Sequence, residues 1–153
     1  MRHPPRSRAE RRSHPDRESK RGVRFSRNAF TPSRASSVCD AAVVRLIALS
    51  EAELGPSPVP FVFLALGSHG RQEMTLSSDQ DNAIVYAPPL DQDAQPQVDE
   101  YLGKLSRFVC ATLDQAGYPF CRGDAMAQNP RWCKPLSVWK QYFSDWIDSA
   151  EPQ

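Results

Sequence analysis

Apolar positions along the chain change rhythm several times, and each change marks an element. Val38, Ala41, Ala42, Leu46 and Leu49 recur at helical spacing, with Arg45, Glu51 and Glu53 elsewhere on the turn. Ser37 can cap that helix, and Asp40 takes the place of the Glu or Gln of a capping box. Gly55 offers a left-handed stop, and Pro56, Pro58 and Pro60 forbid continuation. Residues 61–66, Phe-Val-Phe-Leu-Ala-Leu, are apolar at every position, which predicts a strand buried on both faces. A second strand is expected over 79–86, with β-branched residues at its far end and Pro88-Pro89 closing it. Val98, Leu102, Leu105, Val109 and Leu113 predict an amphipathic helix with Lys104 and Arg107 on its polar side, stopped by Gly117. Trp132, Trp139 and Trp146 fall seven apart, with Leu136, Tyr142, Phe143 and Ile147 among them. Pro135 suits the first turn of that last helix. Together these predict an α/β (α+β) domain, a small mixed sheet flanked by helices.

Charge divides the chain in two. Residues 1–37 hold eleven Lys or Arg against Glu10, Asp16 and Glu18, a balance of +8, and the remaining 116 residues carry −7. The first segment has almost no aliphatic side chains beyond Val23, too few to offset the entropy of ordering it. Residues 1–37 are therefore expected to be a disordered basic tail, and residues 38–150 the domain. A basic arm for nucleic acid or anionic membrane is the functional alternative for the tail. Its acidic residues and missing apolar face argue against a mitochondrial presequence, and a mis-assigned start would produce a similar stretch.

Other classes fall away. The longest apolar run has six residues, against the roughly 18–20 of a membrane-spanning helix. There is no N-terminal apolar segment of the secretory kind. Cys39, Cys110, Cys121 and Cys133 form no C-x-x-C pair and have no His nearby in sequence, so they read as reduced thiols of a cytoplasmic protein.

The chemistry concentrates where the buried strand ends. Gly67-Ser68-His69-Gly70-Arg71-Gln72-Glu73 follows it directly, and Asp79-Gln80-Asp81-Asn82 opens the next strand. Side chains of a strand alternate, so Asp79 and Asp81 point the same way, about 6.5–7 Å apart along the chain. Two carboxylates on one side form a site for a divalent cation such as Mg²⁺, which takes a few carboxylates, waters and substrate phosphates. Taken alone, such a pair is more often solvated or capping. The Gly-Ser turn leaves backbone N–H groups open to a phosphate, with no Cβ in the way at Gly67.

Strand, Gly-Ser, a connection to Asp79, and then Asp-x-Asp opening another strand resemble the nucleotidyltransferase superfamily typified by DNA polymerase β. Residues 64–84 resemble more closely the nucleotidyltransferases related to the N-terminal domain of the protein-PII uridylyltransferase. Gly117-Tyr-Pro-Phe-Cys121, Met126-Ala-Gln-Asn-Pro130, Trp132 and Trp139 also look like that family, so the resemblance spans roughly residues 38–150. In bacteria these domains often sit beside CBS or cyclic-nucleotide-binding domains.

The resemblance implies that Gly67 and Ser68 hold a nucleoside triphosphate and that Asp79 and Asp81 ligate one or two Mg²⁺ ions. An acceptor hydroxyl would attack the α-phosphorus and release pyrophosphate. Arg71 would pair with a phosphate or bridge Glu73, for which a structural role is expected. His69 is expected to be an exposed loop histidine. Asn82 is expected to hydrogen-bond beside the metal site, and Gln80 to face away from it. Active relatives generally add a third carboxylate from a later strand. Asp124 is the best-placed candidate, with a structural turn after Gly123 as its other reading.

The tryptophan stripe could stack a base, but core or interdomain packing is the expected role. Relatives commonly continue into a helical domain, so the stripe could be an interface left uncovered. The expected function is Mg²⁺-dependent nucleotidyl transfer, plausibly onto a protein as in PII uridylylation. A regulatory partner domain is the other candidate partner, and neither nucleic acid nor membrane is expected. The rivals are a non-catalytic nucleotide-binding regulatory domain and a signalling or antitoxin-like interaction module.

Overall fold

In the computed structural model the described residues are 34–75 and 77–149. Helix α1 (Arg34–Leu54) leads to strand β1 (Phe61–Ala65), the single-turn helix α2 (Gly67–Gly70) and strand β2 (Asn82–Tyr86). A 3₁₀ turn at Gln92–Ala94 precedes the long helix α3 (Gln95–Gln115), and strand β3 (Cys133–Pro135) runs into helix α4 (Leu136–Ser149). The strands form one mixed sheet in the order β1-β2-β3. β1 and β2 are antiparallel, pairing Phe61 with Tyr86 and Ala65 with Asn82, whereas β2 and β3 are parallel, pairing Ile84 with Cys133. The expected α/β class, with a small mixed sheet flanked by helices, is what the chain adopts.

One face of the sheet carries the core. Phe63 and Ile84, paired across the β1–β2 ladder, and Tyr86 join Cys39, Val43 and Ile47 of α1 and Val98, Leu102, Leu105, Val109 and Leu113 of α3. All five apolar positions read for α3 are buried. Gly117 ends that segment at φ +98°, as Gly55 ends α1 at φ +84°, conformations costly for any residue with a Cβ.

Three expectations need correction. The basic-tail reading falls outside the described residues as far as residue 33, but 34–37 already belong to α1, so the helix does not start near Ser37. Its buried stripe is Ser36, Cys39, Val43, Ile47 and Ser50, while Val38 and Leu49 are exposed. Among the small polar residues inside, Ser36 is accounted for by its hydroxyl, which accepts from the Met74 N–H at 3.4 Å.

The second strand begins at Asn82 and not at Asp79; Asp81 still accepts from the Leu66 N–H, while Gln80 meets another segment. Finally, the sheet's third strand is Cys133–Pro135, so Pro135 ends a strand and α4 starts after it. The stretch around Phe120 contributes only an isolated bridge to Gln80.

On the opposite face α4 reaches the sheet through Trp139, whose indole N–H donates to the Ile84 carbonyl at 3.1 Å. Trp132 packs against it with ring centroids 6.0 Å apart. Trp139 is buried, but Trp146, Phe143, Ile147 and Leu136 are exposed, so the stripe is only partly core. Among the described residues no helix is long and apolar enough to cross a membrane.

Candidate cation and nucleotide site

Residues 79–82 are clamped between two segments. The Leu66 N–H donates to the Asp81 carbonyl on one side, and on the other the Gln80 and Asn82 N–H groups donate to Pro119 and Ala125, each at 2.9 Å. Alternation then sends Gln80 and Asn82 inward, where both are buried. The Gln80 amide donates to the carbonyls of Cys110 (2.9 Å) and Tyr118 (3.0 Å). Asn82 donates to the Gln80 side-chain oxygen and accepts from the Ala127 N–H at 2.8 Å and from the Cys110 thiol. An inward side chain with such partners cannot turn over without leaving buried polar groups unpaired. The ladder therefore holds Asp79 and Asp81 on the outward side, both half-buried.

Cys121 joins the two aspartates. One ligand atom from each of Asp79, Asp81 and Cys121 lies within 4.8 Å of the other two. Partial burial, and then a hydrogen bond to the Asp81 carboxylate, push the Cys121 thiol above its ordinary range. Asp124 is not in this group. It occupies a turn at φ +54°, and its carboxylate accepts from the Asn129 amide at 2.7 Å.

Gly67 is required twice over. Its φ is +52°, and a Cβ there would stand 2.0 Å from Asp81 Oδ2. The glycine thus lets the turn and the carboxylate occupy adjoining space. A Cβ at Gly70 would come 2.6 Å from the Ala65 carbonyl, so α2 can fold back over the end of β1 only with glycine there.

Residues 24–153 match the family model described as Putative nucleotidyltransferase DUF294. The chain belongs to this family. No curated protein and no solved structure gives a significant match.

Within this nucleotidyltransferase domain, Ser68 follows Gly67 at the turn, half-buried. Arg71 and Glu73 form an exposed ion pair, with Nε 2.8 Å from Oε2, so the guanidinium braces the connection in this structure. His69 corrects the expectation of an exposed loop residue. It is 5% exposed, with Nε2 2.8 Å from Asp40 Oδ1 and Nδ1 3.8 Å from Cys39 Sγ. Burial, with the neighbouring Asp40 charge adding to it, pushes the Cys39 thiol up to about 12. The Asp40 carboxylate can only accept, so the Nε2–H is directed at it. Cysteine, histidine and aspartate here form a buried tie from α1 to α2, not an accessible nucleophile.

Two outward carboxylates suit a hard ion such as Mg²⁺, which accepts oxygen ligands from protein, water and phosphates together. Asp79 and Asp81 fit such an ion. Sequence reading missed Cys121, which lies far from Asp81 in the chain with no local motif, and missed Asp40, whose helix-start position suggested a cap.

Proposed function

We propose that the domain transfers a nucleotidyl group from a nucleoside triphosphate to an acceptor, with Asp79 and Asp81 holding Mg²⁺ and a protein side chain receiving the nucleotide, as in PII uridylylation. The observation that carries this reading is the contact between Gly67 of the Gly-Ser turn and the Asp81 carboxylate. A backbone open to phosphate beside a carboxylate able to ligate a cation is the juxtaposition that a metal–triphosphate complex needs, and it supports this reading.

In this reading Gly67 and Ser68 bind the triphosphate through their amides and the Ser68 hydroxyl, and Arg71 can exchange Glu73 for a phosphate. A cation held by Asp79 and Asp81 would supply the charge that offsets the phosphates. The acceptor O–P bond forms as the bond from the α-phosphorus to the leaving pyrophosphate breaks. The Gln80–Asn82 ladder keeps both carboxylates aimed outward throughout.

The test is pyrophosphate release by the full chain with each MgNTP, alone and with a candidate acceptor protein. Release that Asp79→Asn and Asp81→Asn abolish supports transfer. MgNTP binding that needs both aspartates but yields no pyrophosphate with any acceptor favours a non-catalytic regulatory domain. That second reading draws on one observation: a thiol, not a third carboxylate, stands beside the pair.

A further inference from the structure

Two half-buried carboxylates and a thiol are a mixed donor set. Asp79 and Asp81 precede β2, and Cys121 follows α3, yet their ligand atoms converge within 4.8 Å. The ion pairs among the described residues are His69–Asp40, Arg71–Glu73 and Lys104–Glu100, and neither Asp79 nor Asp81 takes part in one of them. Asp124, which would have made the set all oxygen, is committed to Asn129.

We propose that Cys121 is the third protein ligand of this cation site and that its sulfur makes the site prefer borderline divalent ions, Zn²⁺ and Co²⁺, over Mg²⁺. The inference rests on reading Asp79 and Asp81 as cation ligands and adds which ion they bind best. Mg²⁺ takes oxygen and keeps its water; sulfur adds little to its binding. Zn²⁺ and Co²⁺ accept carboxylate and thiolate together, and a thiolate shifts selectivity strongly toward them.

When the ion binds, the Cys121 thiol releases its proton to solvent and the sulfur donates an electron pair to the metal, with no change of oxidation state. Without the ion, the hydrogen bond to Asp81 already directs the sulfur at a ligand carboxylate. Cys39, Cys110 and Cys133 do not belong to the group.

The experiment titrates Co²⁺ alone into the full chain and follows the sulfur-to-cobalt charge-transfer absorption. The expected result is one such band that appears with cobalt, survives Cys133→Ala and disappears in Cys121→Ser. That variant should bind Co²⁺ at least about tenfold more weakly, about 1.4 kcal/mol, while its Mg²⁺ affinity changes by less than about twofold. Cys121→Ala provides the same reading if the serine variant does not fold.

Cobalt bound without the band, or with a band that persists in both Cys121 variants, overturns the role of Cys121. If Asp79→Asn and Asp81→Asn still abolish binding in that case, the carboxylate site itself stands. No cobalt binding, or binding indifferent to both aspartates, overturns the inference and the reading beneath it.

Discussion

Replacing Gly67 with alanine separates two costs that this position combines. The first is backbone strain, since at φ +52° an L-residue sits in the left-handed region at about 1–2 kcal/mol. The second is collision, since the new Cβ would lie 2.0 Å from Asp81 Oδ2 and 2.9 Å from its Cγ. Because the obstruction is a side chain, Asp81 can yield by leaving its rotamer, at about 0.5–1.5 kcal/mol. The expected loss is about 2–3 kcal/mol of stability, read from urea unfolding. Gly117→Ala supplies the control: φ is +98° and nothing lies within 4 Å of its added Cβ, so it reports strain alone. A displaced Asp81 also costs cation affinity, by about 10–100-fold, the range found when the support of a metal ligand is removed. Mn²⁺ titration followed by paramagnetic resonance measures that loss, and Gly117→Ala should leave it unchanged. Equal destabilisation by the two substitutions, with Mn²⁺ affinity intact in both, would refute the idea that Gly67 exists to make room for Asp81.

Three further outcomes are expected. His69→Leu strands Asp40 and Cys39 without their partner and should lower stability by about 1–3 kcal/mol in urea unfolding, with Asp40→Asn costing less because an amide oxygen still accepts Nε2–H. Trp139→Phe removes the donor to the Ile84 carbonyl and should cost about 1–3 kcal/mol, read by circular dichroism melting. Burial raises the thiols of Cys39 and Cys133 to about 12 and that of Cys110 to about 11, against an ordinary 9.0. A raised folded-state value means the fold holds protons that the unfolded chain releases, so this stability is complete below pH 9 and is lost as pH rises toward 12. The urea midpoint should fall across that window, and less steeply in Cys39→Ala.

The unbroken apolar run located β1 but overstated its burial: in this edge strand only Phe63 is buried and the other residues are half-buried, so it is not covered on both faces. Periodicity was enough for α3, where five apolar positions all point inward. It misled at α1. The buried stripe there includes Ser36, Cys39 and Ser50, and apolarity is a poor guide where a small side chain is buried against a backbone N–H, as Ser36 is at Met74, or against an imidazole, as Cys39 is at His69. β3 was invisible because three residues, one of them proline, carry no alternation to read. At the site, the facing of Asp79 and Asp81 was legible from a strand's period of two, and Gln80 faces away from them as expected, whereas Asn82, expected to hydrogen-bond beside the cation site, also turns inward. The partners came from tertiary contacts that no local pattern encodes: Cys121 from beyond α3, and Asp40 from α1, reaching a histidine between two glycines. A lone histidine in a loop reads as solvated until the fold supplies a carboxylate for it.

The route of the chain between Asp81 and Cys121 sets the order in which this constellation can form. Between them the polypeptide finishes β2 and runs the 21 residues of α3, about 30 Å of helix, before returning. During synthesis the aspartates emerge well before the thiol, and the three meet only after α3 has docked on α1 and the chain has come back beside Gln80. An ion held by all three is therefore a ligand of the finished fold and not a template for it. Mass action then dictates that the domain's thermal midpoint rises with the concentration of such an ion.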